Sequence, residues 1–259
     1  AGYLASDDRS APQRVKVYSL GPFEVYAGAR PVDEQAWKTR KVRYLFAFLL
    51  AHGERPVSED LIIEEFWPGE SDRGRKNLYG ATSTLRKVLA GDSAVDPVLR
   101  MHGRLQINPV YPVWHDMVEF EAAIQASKQP ADRCRALNRC VRLYRGPYLD
   151  GCYMDWAIPL RTRIERQVEG ALFELARHAV QEDRTPEACE HASRILEIDP
   201  CNQAAHLILM QAHLRSGRPE AAVRQFEQCR QVLRQELRME PTIELLEAYH
   251  RARLSLSEA

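Results

Sequence analysis

The chain has 259 residues, is 45% hydrophobic and 28% charged, and balances 36 basic against 36 acidic side chains. That length supplies one large domain or two ordinary ones, with a core that needs no disulfide or metal staple. Zero net charge excludes a general coating of nucleic acid or membrane but leaves room for a local basic patch. The longest apolar run, residues 45–51, is too short for a membrane span of ~20 residues. The first fourteen residues, AGYLASDDRSAPQR, lack the apolar centre of a signal peptide and read as a linker. The expected location is cytoplasmic, with no membrane partner. The missing initiator Met suggests a chain processed or cut from a longer protein.

Residues 15–20, VKVYSL, alternate as a strand should. Gly21-Pro22 turns the chain into a second short strand, 23–26, and Ala27-Gly28-Ala29 turns it into a third near 30–32, giving a small antiparallel meander. The period then becomes helical. Thr39 caps a helix with Val42, Leu45, Phe46, Leu49 and Leu50 inward, and Gly53 ends it. Ser58 caps a second helix carrying Leu61, Ile62 and Phe66. A third opens at Ser71 or Asp72, turns Leu78, Ala81 or Thr82, Leu85, Val88 and Leu89 inward, and closes at Gly91. Two β segments, 98–101 and 104–107, flank a His102-Gly103 turn.

From Asp116 the pattern predicts helix throughout, near 116–126, 131–144, 157–182, 186–198, 203–216, 219–236 and 242–254, with prolines near the breaks. Asp183-Arg-Thr-Pro-Glu-Ala188 echoes Gly217-Arg-Pro-Glu-Ala-Ala222. Ala188 and Ala222 stand 34 apart, the period of a tetratricopeptide helix pair, although the Pro-Glu-Ala tripeptide recurs at 33. A generic helical hairpin array is the plainer alternative.

No catalytic, cofactor or metal set emerges. Gly69–Lys76 approaches a phosphate-binding loop but has Arg75 in place of the lysine, Lys76 in place of Ser or Thr, and no preceding strand. Trp114-His115-Asp116 lacks a nucleophile and reads as a helix start capped by Asp116. The six cysteines form no C-x-x-C, the eight histidines no H-E-x-x-H, and small buried thiols are expected.

Charge is informative locally. Between residues 73 and 104 stand seven basic groups, Arg73, Arg75, Lys76, Arg86, Lys87, Arg100 and Arg104, against Asp92 and Asp96. Three of them crowd the first turn of the third helix, where cations oppose the helix dipole and an anionic partner would relieve the conflict. The other outward positions, Asn77, Tyr79, Gly80, Ser83, Thr84, Arg86 and Lys87, include short polar groups able to approach base edges. Arg100, His102 and Arg104 follow on the hairpin. Together they describe a helix for the major groove beside a wing for phosphates or minor groove; a solvated basic surface is the bland alternative.

Residues 15–107 resemble the OmpR/PhoB-type winged-helix domain, through LGPFEV (20–25), WKTRK (37–41), LFAFLLAHGERPVSEDLI (45–62), FWPG (66–69) and NLYGATSTLRKVL (77–89). Residues 111–259 resemble the bacterial transcriptional activator domain, through WHDMVEFE (114–121), LYRGPYLDG (143–151) and LRSGRPEAAVRQFEQCRQVLRQEL (214–237). In this order the pair is similar to the SARP-type activators. The resemblance implies a mixed fold: an α+β winged helix over 15–110, then an all-α, tetratricopeptide-like repeat domain over 111–259. It implies a non-enzymatic, sequence-specific regulator that binds double-stranded DNA at promoter direct repeats, with two protomers in tandem. Recruitment of RNA polymerase and a fused or partner regulatory module are further expectations. By position, Tyr79, Gly80, Ser83, Thr84 and Lys87 form the reading face, and Arg40, Lys41 and Arg43 contact phosphates. Relatives often carry Arg near Thr84 and Gly-Gly-Tyr in the wing. A different reading makes the chain a helical-repeat interaction module whose winged helix no longer binds DNA.

Overall fold

A computed structural model describes residues 15–69, 71–90 and 95–257, without the side chains of Ser71 and Asp72. The expected tail, 1–14, and the helix stop at Gly91 lie outside these residues. The chain divides into two compact units, one running to Glu119 and including Arg145–Arg161, the other comprising Phe120–Tyr144 and Thr162 onward.

In the first unit, β1 (Val15–Tyr18), β3 (Glu24–Ala27) and β4 (Arg30–Pro31) form the antiparallel meander, and the two-residue strand β2 (Gly21–Pro22) between β1 and β3 stands outside that sheet. Strand β1 pairs antiparallel with β3, Val17 opposite Val25, and alternation buries Val15 and Val17. Helix α1 (Arg40–Ala51) starts where the Thr39 hydroxyl accepts the Val42 N–H. Next come β5 (Val57–Ser58), α2 (Glu59–Phe66), capped by Ser58, and α3 (Ser71–Ala90). Gly74 is buried, and a methyl group there would strike the Ile63 side chain. Close packing of α3 on α2 thus depends on its missing side chain. Strands β6 (Val98–Met101) and β7 (Arg104–Ile107) form the expected hairpin. His102 (φ 50°) and Gly103 (φ 70°) both take left-handed conformations, as a tight primed hairpin turn requires.

The first unit also recruits chain from beyond the expected boundary at 110/111. Strand β8 (Val113–His115) adds parallel to β1, and helix α4 (Asp116–Ala126) follows. After helix α5 (Arg133–Leu143), strand β9 (Tyr148–Asp150) pairs with β2. This corrects the expectation of unbroken helix after Asp116. Gly21 makes the return possible: a side chain there would crowd Arg145, and its φ of 134° suits glycine. The Arg161 guanidinium donates to the carbonyls of Tyr148, Leu149 and Cys152, satisfying a segment with few ladder bonds of its own.

Asp116 is the polar centre of this unit. It is 1% exposed, and its carboxylate accepts from the backbone N–H groups of Ser19 and Leu20 and from the Ser19 hydroxyl at 2.9–3.0 Å. It therefore ties the end of β1 to the first turn of α4, where the sequence suggests a cap for its own helix. His115 Nε2 lies 2.8 Å from Ser19 Oγ. Burial pushes the imidazole pKa down to about 4 against the opposing pull of Asp116, so the ring is neutral near pH 7. The trio is not a hydrolytic triad: the serine is buried, and Asp116 engages the serine instead of His115 Nδ1.

In the second unit, α6 (Ala157–Gln181), which begins in the first, leads into α7 (Thr185–Ile198), α8 (Gln203–Arg215), α9 (Pro219–Val232) and α10 (Ile243–Ser257). Consecutive helices from α7 to α10 pack on one another. The backbone repeats at 34 residues. Asp183 and Gly217 are both left-handed, at φ 54° and 64°. Arg184 N–H bonds to the Ala179 carbonyl as Arg218 N–H bonds to that of His213, and Ala188 and Ala222 are 1% and 0% exposed. The geometry selects 34 over 33 and makes the array tetratricopeptide-like. The last turn of α9 widens into a π-turn over Leu233–Leu237.

Candidate nucleic-acid interface

Helix α3 is held by one face. Leu78, Ala81, Leu85 and Leu89 are buried, and the opposite stripe, Lys76, Gly80, Ser83 and Lys87, is exposed at spacings of four, three and four. Arg73 and Asn77 are exposed toward the helix start. Among the described residues Arg73, Lys76 and Lys87 form no ion pair, whereas Arg75 sits 3.7 Å from Asp60. Gly80 has open space where a side chain would stand, so a ligand backbone can come close to α3 at its midpoint.

The structure redistributes the remaining expected residues. Thr84 is 8% exposed and lies at the margin of the buried stripe beside Leu85, which removes it from the outward face. Arg100 is engaged internally: its guanidinium makes two 2.6 Å hydrogen bonds to the carboxylate of Glu59, itself 7% exposed. The same guanidinium stacks 3.9 Å from the ring centre of Tyr79, which remains 46% exposed. Arg100 thus fastens the hairpin to α2 and α3 rather than reaching outward. Arg86 is also taken, by Asp96 at 2.9 Å and the Val98 carbonyl. Near α1, Arg40 is exposed, Lys41 donates to the Phe66 carbonyl at the end of α2, and Arg43 bonds Glu34 and the Phe23 carbonyl. At the hairpin, His102 and Arg104 are exposed, with a long 3.5 Å contact from Arg104 to the Pro56 carbonyl.

Sequence reasoning passed over Met101, 59% exposed beside the hairpin turn. The signal was present: strand alternation from buried Val98 puts Leu99 and Met101 on the open face. It also missed Glu59 as the partner that holds the hairpin. Antiparallel pairing of β5 with β7, Val57 opposite Leu105, completes that hold.

A helix presented by one face, with a β-hairpin fastened beside it and helical repeats downstream, defines a winged-helix transcription regulator. The chain belongs to the bacterial transcriptional activator domain family, whose pattern matches residues 115–253, and the combination is that of SARP-type proteins. The regulatory protein AfsR of Streptomyces griseus is 27% identical over 245 residues, covering 90% of this chain and 24% of that protein. EmbR of Mycobacterium tuberculosis, solved in complex with a low affinity phosphopeptide, shares the fold with a TM-score of 0.70 at 22% identity, over 93% of this chain and 65% of that one. The chain thus spans about a quarter of its AfsR relative and two thirds of EmbR. Among the described residues no helix is long and apolar enough to cross a membrane.

Proposed function

We propose that the chain is a sequence-specific, DNA-binding transcription activator without catalytic activity. Helix α3 enters the major groove, and the β6–β7 hairpin lies on phosphates or the minor groove. The observation that carries this is the exposed stripe of α3: two lysines without an ion pair among the described residues bracket a glycine and a serine, with Arg73 beside them. Cations fix the helix on phosphates, while Ser83 and the open step at Gly80 permit close approach to base edges. His102, Arg104 and Met101 supply the wing. Tandem protomers on promoter repeats, contact with RNA polymerase, a fused or partner regulatory module and a cytoplasmic location follow from the family and belong to the same proposal. The second reading, a protein-interaction module that no longer binds DNA, draws on the internal engagement of Lys41, Arg43 and Arg100.

Anisotropy titrations of the chain with a random duplex at two salt concentrations separate the readings. Binding should weaken steeply with salt. Lys87→Ala should flatten the plot of log K against log salt by about one unit if Lys87 meets a phosphate. If it reads a base, the loss of about 1–3 kcal/mol should fall on the cognate site alone. Absence of salt-dependent duplex binding would favour the interaction module.

A further inference from the structure

The second unit holds a cleft that DNA binding leaves unused. It lies between α4 and α5, is open to solvent and encloses about 600 Å³. One side presents Ala122 and Ala126, both exposed, and Ala123 and Ala136 form a buried floor. The other side is a row of guanidinium groups, Arg135, Arg139 and Arg142, spaced four and three residues apart on one stripe of α5. Asp132 stands at the end of the row.

This arrangement is costly to an isolated helix. Like charges three and four residues apart repel, and Arg135 near the start of α5 opposes the helix dipole. The chain supplies a carboxylate for the neighbouring Arg133, Glu174 at 3.5 Å, yet among the described residues Arg135 and Arg142 have none. The alanines matter equally. A wall of methyl groups lets another backbone come close, offers no hydrogen bond to a sugar–phosphate chain, and leaves the arginines to provide all the polar recognition. Small ligands are usually enclosed on most sides, which an open cleft does not do. A continuous phosphate chain would also run against Asp132, whereas spaced carboxylates need not.

We infer that this cleft docks an acidic helical segment of a partner protein. Its carboxylates, at i and i+7, meet Arg135 and Arg142, and its small or apolar side chains rest on the alanine floor. The arginine row covers about 10 Å, two turns of such a helix. Recognition by charge complementarity makes the contact salt-sensitive and fast to form.

The test uses the full chain and an 18-residue labelled helical peptide bearing glutamates at that spacing with alanine and leucine beside them. Its counterpart has glutamine at the same positions, and a random duplex is titrated in parallel. The glutamate peptide should bind and the glutamine peptide should not. Arg135→Glu/Arg142→Glu should weaken peptide binding by about tenfold or more, while the duplex affinity stays unchanged. Arg135→Ala/Arg142→Ala, at exposed positions that leave the thermal melt intact, should give a smaller loss in the same direction. Equal binding of both peptides, or binding indifferent to the variants, overturns the inference. So does a variant that lowers duplex affinity while the peptide fails to bind, since the cleft would then belong to DNA. Failure of Lys87→Ala to alter duplex binding bears on α3 alone and leaves this result readable.

Discussion

Replacing Asp116 by Ala should unfold the first unit at lower urea while sparing the second. The carboxylate accepts two backbone N–H groups, of Ser19 and Leu20, and one hydroxyl, in a site 1% exposed. The hydroxyl keeps a partner, because Ser19 Oγ also lies 2.8 Å from His115 Nε2. The two N–H groups do not, and a buried donor left unpaired costs about 1–3 kcal/mol. Relief from burying the carboxylate offsets part of this, so the net loss is about 2–4 kcal/mol. With a urea slope of about 2 kcal/mol/M, the midpoint should fall by about 1–2 M. The assay is built into the chain: Trp37, Trp67, Trp114 and Trp156 all lie in the first unit, so tryptophan fluorescence reports on it. Asp116→Asn, which retains one acceptor oxygen, should lose less. A fluorescence midpoint unmoved by Asp116→Ala would mean that the carboxylate does not hold β1 to α4.

The neutral, buried His115 predicts a pH dependence of the same signal. Its folded pKa, about 4, lies below the unfolded value of 6.5, so between these pH values the unfolded chain binds the extra proton and stability falls as pH drops; His115→Gln should flatten that slope in urea titrations at pH 7, 5.5 and 4.5. Gly74→Ala should destabilise the first unit by about 1–3 kcal/mol through its clash with Ile63, whereas Gly80→Ala, facing open space, should stabilise α3 by about 1 kcal/mol in fluorescence-monitored unfolding. Ala222→Leu should cost about 1–3 kcal/mol by overpacking the cluster of Met210, Phe226, Leu233 and Leu245, lowering the circular-dichroism melt of the helices while tryptophan fluorescence is unchanged. A melt that does not move would reject the 34-residue register.

The parts of this fold that could be read from the chain are those coded within a few residues. Thr39 and Ser58 announce their helices because a capping hydroxyl acts on an N–H three positions on. The His102-Gly103 turn is legible because tight hairpins need left-handed residues at those places. The 34-residue repeat shows in sequence as two loop signatures, and in structure as matching hydrogen bonds. Strands β8 and β9 were not legible. Each is three residues long, and each is a strand only because a segment 98 or more residues earlier offers its edge. No local pattern encodes that partner, so the part that 145–161 plays in the first unit leaves no mark in the sequence around it.

The internal pairing of the basic residues was illegible for a related reason. Counting basic residues between 73 and 104 treats each charge as available, but availability is set by carboxylates elsewhere in the chain. Glu59, 41 residues before Arg100, turns that arginine from an outward contact into the fastening of the wing. Asp96 does the same to Arg86 at the far end of α3. What remains without an ion pair on α3 among the described residues, Arg73, Lys76 and Lys87, is smaller than the sequence suggested but better placed, since the internally paired arginines fix the surface from which it projects. A chain of zero net charge can present a cationic face on this basis: Glu59 and Asp96 are taken up in holding the scaffold, and Arg73, Lys76 and Lys87 stand where α3 is open.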